Sequence, residues 1–445
     1  MSHVRDIAAG RRSSAEYDTA FADLHAPLSA RQAAVEASRC HFCHDAPCVE
    51  ACPTSIDIPG FIRRIATGNP KGAGKTILNA NIMGATCARV CPVEELCEQV
   101  CVRTQGEHKP VEIALLQRFA TDAVLDAGLQ PFSRAAPTGK RVAVVGAGPA
   151  GLSCAHRLAR EGHDVVVYDA QAKPGGLNEY GLAAYKMAGG IAQAEVAFIL
   201  SIGGITIEQN KVLGRDITLD GLAADFDAVF IGIGLASVNA LGLDGEDNDA
   251  VVDAVSYIEE LRQAGDLEAL EIGRRVVIIG GGNTAIDIAV QAKRLGAEEV
   301  TLAYRRGPDQ MGATDFEQEL AQTNGVVIRH WARPVRLAGD AGAAIDITFE
   351  TTMLKGDGRL AGTGVEFTIT ADQVFKAIGQ VFEQAPLASG GELTITNGRI
   401  DVDPQGRTSL PGVYAGGDCV AGTDLTVSAV EDGKVAGEAI HNDLT

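Results

Sequence analysis

The spacing of apolar positions changes near residue 137 and divides the chain into two kinds of structure. Before it, apolar residues recur at helical intervals: the amphipathic run Ser29 to Ser38 leads into Cys40, and Val111 to Ala127 leads away from Cys101, so residues 1–137 read as helical. Ser29 is placed to cap the first of these helices, its hydroxyl accepting an orphan amide of the opening turn. Pro137-Thr138-Gly139 reads as a linker. Beyond it, short β-branched runs alternate with alanine-rich helices, the pattern of parallel α/β structure. Two strand–glycine–helix openings start at Arg141 and Arg275, about 134 residues apart, and mark two nucleotide domains.

Length and charge narrow the class. The chain has 445 residues, too many for one core, and a length prior gives about three domains. Its opening segment, Met1 to Tyr17, is polar and unlike a signal peptide, and apolar runs such as Val142 to Val145 and Val276 to Ile279 are far too short to cross a bilayer. A cytoplasmic protein with no membrane partner is expected. A net charge of −20 argues against nucleic acid, because contacts to phosphate backbones need clustered bases.

Eight of the ten cysteines fall in two groups, Cys40-x2-Cys43-x4-Cys48-x3-Cys52-Pro53 and Cys87-x3-Cys91-Pro92-x4-Cys97-x3-Cys101. Thiolates at such spacings, with proline after one of them, suit iron–sulfur cubes, and two [4Fe-4S] clusters are expected. Zinc is the alternative; it usually pairs Cys-x2-Cys units at longer separations, and only Cys40 and Cys43 have that spacing. Counting thiols alone makes Cys87 the eighth ligand. Cys154 and Cys419 are solitary, which argues against a disulfide relay, and Cys154 reads as core. His41 and His44 lie beside the first cysteines, where solvated or packing roles outweigh tuning of a cluster.

The first nucleotide opening ends in Gly146-Ala-Gly148-Pro149-Ala150-Gly151, followed by the helix Leu152 to Arg160 and the strand Asp164 to Tyr168. Its glycines let the backbone approach a pyrophosphate at a positive helix end. Asp169, at the end of the second strand, is placed to bind ribose hydroxyls. The second opening ends in Gly280-Gly-Gly282-Asn283-Thr284-Ala285, and its second strand, Val300 to Tyr304, ends in Arg305-Arg306 instead of an acid. Two sites favour two different dinucleotides. Arginines there suit the 2′-phosphate of NADP, or form a solvated pair stacked on adenine.

Near the C-terminus, Gly412-Val-Tyr-Ala-Gly416-Gly417-Asp418-Cys419 followed by a helix from Leu425 to Ala439 resembles the signature with which flavoproteins of two dinucleotide domains return to the FAD domain. That likeness puts the aspartate at the ribityl chain, the helix start at the flavin, and Phe375 to Gly379 as a companion strand. The expected architecture is α/β: a helical double-cluster domain (1–137), a split FAD domain (138–248 and 372–445) and an NAD(P) domain (249–371) inserted in it.

Nearly the whole chain resembles the NAD(P)H-oxidising half of dihydropyrimidine dehydrogenase, a separate subunit in bacteria, and is similar to the glutamate synthase small subunit. Cys91-Pro-Val-Glu-Glu-Leu-Cys97 has the longer spacing of the pyrimidine family, and Gln117 stands where that family has an iron-ligating glutamine. The resemblance implies Cys40, Cys43, Cys48 and Cys101 around one cluster and Cys52, Cys91, Cys97 and Gln117 around the other, which leaves Cys87 without iron. The FAD set it implies adds Gly176, Leu177, Lys186, Thr426 and Val427, and the NAD(P) set adds Gly379. Lys186 is then either a basic group offsetting charge on reduced FAD or an ordinary surface lysine.

The same resemblance implies oxidation of NADH through FAD, with electrons leaving through the clusters to an FMN and iron–sulfur partner that reduces uracil or thymine. NADH is favoured over NADPH because the bacterial two-subunit members it resembles are associated with NADH, and because NADPH-using relatives carry a further arginine in the stretch read here as Met311-Gly-Ala-Thr-Asp315, whose Asp315 would repel a nearby 2′-phosphate. A zinc- and dinucleotide-binding scaffold is the non-enzymatic alternative.

Overall fold

The computed structural model describes residues 9–340, 342–384, 387 and 393–445, so the polar opening segment lies partly outside the described residues. They form two compact units.

The larger unit takes in residues 24–179, 189–236 and 382–445. Its head is a set of helices, chiefly Ala30–Ser38, Ile58–Ala66, Pro70–Ala80, Gly84–Val90 and Ile113–Leu125. They close over a core of Ala33, Ala37, Phe61, Ile62, Ile77, Leu116 and Ala120. Ser29 caps the first helix as expected, accepting from the Gln32 amide at 3.3 Å while Gln32 Oε1 accepts from the Ser29 amide at 2.9 Å. Asp57 and Asn69 cap the next two in the same way, each ahead of a proline in the first turn, where a missing N–H costs nothing.

The rest of this unit is a parallel sheet in the order Val413–Ala415, Ala228–Ile231, Arg141–Val145, Asp164–Tyr168, Ile205–Glu208. Its central strand, Arg141–Val145, is buried along four of its five residues, which is why it reads as a continuous apolar run. The helices Pro149–Arg160 and Thr426–Leu444 pack on it and on each other through small residues. A Cβ at Gly433 would sit 2.0 Å from the Ala150 carbonyl. The C-terminal strand thus returns to the first sheet, and the first dinucleotide domain is split as expected.

The smaller unit takes in Ser237–Val381, Tyr180–Ala188 and the N-terminal residues up to Asp23. Its parallel sheet runs Val251–Asp253, Gln373–Ala377, Arg275–Gly280, Glu299–Ala303, Val327–Arg329, beside an antiparallel sheet of Ala332–Ala338, Ile345–Leu354 and Leu360–Ala371. One expectation is corrected here. The strand containing Phe375 is a member of this second sheet, pairing in parallel with Arg275–Gly280 and Val251–Asp253, and is no companion of the C-terminal return strand. Phe375, fully buried and 4.9 Å from the Tyr257 ring, holds it there.

The compact units and the expected boundaries do not coincide. The second nucleotide unit reaches from 237 to 381, closed by a short ribbon pairing Ser237–Val238 with Gln380–Val381. It also captures the N-terminal helix Ser14–Ala20, whose Tyr17 hydroxyl donates to the Leu295 carbonyl at 3.1 Å.

Candidate functional site

The chemistry is distributed over three places, two in the larger unit and one in the smaller. In the head, Cys40, Cys43, Cys48 and Cys101 line one cavity, walled otherwise by apolar side chains such as Ile58, Ile62, Val102 and Ile113 and by His41 and Arg103. Two come from the turn after the first helix, one from the short helix Pro47–Glu50, and Cys101 from the N-cap of Val102–Glu107. Burial, reinforced by Cys40, Cys101 and Cys43, pushes the Cys48 thiol up to about 12. Four sulfurs facing one cavity would repel as thiolates, so the arrangement suits a cationic iron core.

The second group is Cys52, Cys87, Cys91 and Cys97. Cys91 is raised well above the usual thiol range, first by its hydrogen bond with Cys87, then by burial, then by the closeness of Cys87, Cys97 and Cys52. Cys97 is raised as well, mainly by burial. Cys87 is fully buried, its sulfur accepting from Asn81 Nδ2 at 3.2 Å. Gln117 is buried in the helix Ile113–Leu125, where its Nε2 donates to the Gly84 carbonyl at 2.8 Å, anchoring the amide by its nitrogen and leaving its oxygen as the end available to a cation. All ten cysteines are free. Cys154 is fully buried core, and His44 is solvated, its Nδ1 3.0 Å from the exposed Asp45.

The first dinucleotide cradle is assembled from four distant pieces of chain. Gly146 has φ +102°, and a Cβ there would lie 2.3 Å from the Gly232 carbonyl; one at Gly151 would lie 1.9 Å from the Gly146 carbonyl. Glycine is required at both. Pro149 and Ala150 open the helix whose N-terminus carries the positive end of its dipole. Gly176 approaches so closely that a Cβ would sit 2.7 Å from Gly148 Cα, and next to it stands Leu177. A Cβ at Gly417 would sit 2.9 Å from that of Ala150. Thr426 donates to Asn178 at 3.2 Å, beside buried Val427.

Asp169 is buried and accepts from the Ala147 and Gln171 amides at 2.6 and 2.7 Å, which ties the strand end to the glycine turn. Burial outweighs those bonds and raises its carboxyl. Asp418 is pushed up to about 6, by burial first and by Asp424 second.

In the smaller unit, a Cβ at Gly280 would meet the Ala377 carbonyl at 2.2 Å and one at Gly281 the Tyr304 ring at 2.4 Å, whereas Gly282 faces open space. Asn283, Thr284 and Ala285 form the first turn of the helix Asn283–Leu295. Arg305 is exposed and Arg306 half-buried, and among the described residues neither forms an ion pair. Ala313 donates to the Gly281 carbonyl at 2.9 Å, so the helix Asp315–Thr323 begins two residues from the glycine turn, with Asp315 in its first position. The Gly379 carbonyl, at φ +94°, accepts from the Asn239 amide at 3.1 Å.

Lys186 departs from the surface expectation. It is no surface lysine: it is buried, its Nζ 2.7 Å from Asp287 and 2.6 Å from Glu317. Burial acts to lower its pKa, and the two carboxylates outweigh that and raise it. Its segment, Tyr180–Ala188, belongs to the second nucleotide unit. Sequence reading also missed Glu195. This fully buried acid accepts from the amides of Ala85 and Thr86 and the Thr86 hydroxyl, and so pins the helix Gly84–Val90, which carries Cys87, to Ile191–Leu200. Burial pushes it up to about 7. The signal available was a lone acid inside an otherwise apolar helix.

Comparison with known proteins agrees with this division. Residues 140–433 match the family model of pyridine nucleotide-disulphide oxidoreductases, and residues 17–129 that of dihydropyrimidine dehydrogenase domain II with a 4Fe-4S cluster. The NAD-dependent dihydropyrimidine dehydrogenase subunit PreT of Escherichia coli is 38% identical over 92% of this chain and 93% of its own length. The glutamate synthase [NADPH] small chain of Escherichia coli is 32% identical over 95% and 93%. Thioredoxin reductase of T. acidophilum shares the fold at a TM-score of 0.54 and 23% identity, covering 68% of this chain and 99% of that one. FprA of Mycobacterium tuberculosis does so at 0.58 and 21%, covering 68% and 84%. With a 4Fe-4S head joined to two dinucleotide folds, the chain belongs to the flavin- and iron–sulfur-dependent pyridine nucleotide oxidoreductases that include PreT and the glutamate synthase small chain.

Proposed function

We propose that the chain is the electron-input subunit of an NAD-dependent dihydropyrimidine dehydrogenase, oxidising NADH through FAD and delivering electrons by two [4Fe-4S] clusters to an FMN-bearing partner that reduces uracil or thymine. The reading rests chiefly on the head. Cys40, Cys43, Cys48 and Cys101 line one cavity although Cys101 is far from the others in sequence, as the interleaved ligand set requires. In this reading the second set is Cys52, Cys91 and Cys97, which lie close enough to interact, together with Gln117, whose amide nitrogen donates to Gly84 and leaves its oxygen for iron. The longer Cys91–Cys97 gap and the higher identity to PreT favour this reading over glutamate synthase.

Bound FAD would supply hydride acceptance from NADH and one-electron release, and iron–sulfur clusters held by the cysteines would supply one-electron carriage. This chain's own residues bind and orient. Gly146, Gly148 and Gly151 clear space for a pyrophosphate at the dipole of Pro149–Arg160, and Asp169 offers its carboxylate beside them. Asp418 and the first turn at Thr426 and Val427 border the same cradle from the C-terminal side. Gly280 and Gly282 do the same for NADH at the helix Asn283–Leu295. Arg305 and Arg306 lie at the ribose end, and Asp315 near the glycine turn disfavours a 2′-phosphate.

The test is anaerobic titration of the purified holoprotein with NADH. Flavin bleaching, a cluster signal from eight irons per chain, and uracil reduction only after the FMN partner is added are expected. Uracil reduction by the single chain at the rate of the complex refutes the division of labour.

A further inference from the structure

Charge in this acidic chain is unevenly placed. Residues 24–137 hold eleven basic and eleven acidic residues, so the whole of the net −20 lies elsewhere. Within that neutral head, Ile58 to Val93 contains no Asp or Glu, against Arg63, Arg64, Lys71, Lys75 and Arg89. Arg89 is partly buried and spent on Asp122 at 2.9 Å. The other four are exposed, on the helices Ile58–Ala66 and Pro70–Ala80, and among the described residues none of them forms an ion pair.

The two helices face one another at this patch, Arg64 Nε donating to the Thr76 hydroxyl at 3.0 Å. The acid that borders it, Asp57, is occupied as the cap of the first helix. The patch also lies against the first cysteine cavity. Ile58, Pro59 and Ile62, on the inner face of the same helix, wall that cavity. On the outer face, the Arg63 guanidinium stacks 4.9 Å from the ring of Phe42, which stands between Cys40 and Cys43. Val102, exposed to 38%, adds an apolar edge to the cavity mouth.

We propose that this basic face is the docking surface for an electron-accepting protein with an acidic patch around its own one-electron centre, brought up against the Cys40–Cys43–Cys48–Cys101 site. An exposed basic field in an otherwise acidic molecule orients an acidic partner before contact, since the rest of the chain repels it. The proposal rests on the electron-input reading above and names the face through which electrons leave.

The test uses holoprotein with flavin and iron in place, NADH as reductant, and native (basic) or succinylated (acidic) cytochrome c as acceptor. These carry the same haem under opposite surface charge. Each NADH becomes NAD+ and one proton, and its two electrons convert two ferric haems to ferrous. At low ionic strength the acidic cytochrome should have the lower KM. R64E/K71E/K75E should raise that KM about tenfold and lower the KM for the basic form, with kcat and iron content unchanged and the difference collapsing in high salt. R64Q/K71Q/K75Q, which keeps chain length and polarity, should shift both KM values in the same directions by a smaller factor. Clusters reduced by NADH together with an unchanged KM for the acidic cytochrome overturn the docking face alone. Clusters that stay oxidised under NADH overturn the electron-input reading, and this face with it.

Discussion

Replacing Lys186 with methionine gives the most direct check on the buried charges of the second nucleotide unit. Lys186 keeps 8% of its side chain exposed, Asp287 6% and Glu317 12%, with the ammonium 2.7 and 2.6 Å from the two carboxylates. At that depth the loss of one partner is not screened. Removing the cation takes the ammonium from two buried carboxylates, and breaking a buried ion pair costs about 3–5 kcal/mol. For a unit of this size that is a fall in melting temperature of roughly ten degrees.

The pH dependence follows from the direction of the shift. Lys186 is raised above 10.5, so its contribution is whole at every pH below that value and fades only above it, leaving the native protein flat across the neutral range. In Lys186→Met the stranded carboxylates favour a proton in the folded state, so the deficit should shrink as pH falls toward 5. Calorimetry of the holoprotein at pH 8 and pH 5, with hydrogen exchange in Asn283–Leu295 to assign the transition, measures both effects. The triple variant with Asp287→Asn and Glu317→Gln should recover most of the loss. A Lys186→Met protein within about 1 kcal/mol of the parent, or with a pH-independent deficit, refutes the reasoning.

Three further outcomes test other parts of the molecule. Glu195→Gln removes an acid pushed up from 4.5 to about 7 by burial; the native fold pays for ionising it as pH rises from 4.5 to 7, so the variant should lose that decline in stability, worth at most about 3 kcal/mol, in urea titrations at pH 5 and pH 8. Gly281→Val would drive a side chain into the Tyr304 ring, and should weaken NADH binding at least tenfold by calorimetry while bound FAD per chain stays unchanged. Cys48→Ala should lower iron toward four per chain and remove one of two cluster signals by electron paramagnetic resonance; undiminished iron would refute its place in the first cavity.

The elements most legible in the sequence were those encoded locally. Ser29 with Gln32, the apolar strand Arg141–Val145 and the glycine turns at 146–151 and 280–282 each declare themselves within a few residues, because capping, burial and close backbone approach are short-range demands. So did the cysteine groups and the return of the chain to the first sheet at Val413–Ala415.

What the tertiary structure alone decided concerns partners remote in sequence. The strand around Phe375 has the same local character in either sheet, and only its parallel pairing with Arg275–Gly280 assigns it to the second. That Lys186 is buried between Asp287 and Glu317, over a hundred residues on, shows only in the folded chain. The convergence of Cys101 on Cys40, and of Glu195 on Thr86, is of the same kind. A residue's propensity is a property of its neighbours in the chain. The charge or cavity it faces is set by which helices pack together, and that is determined by the whole buried surface at once.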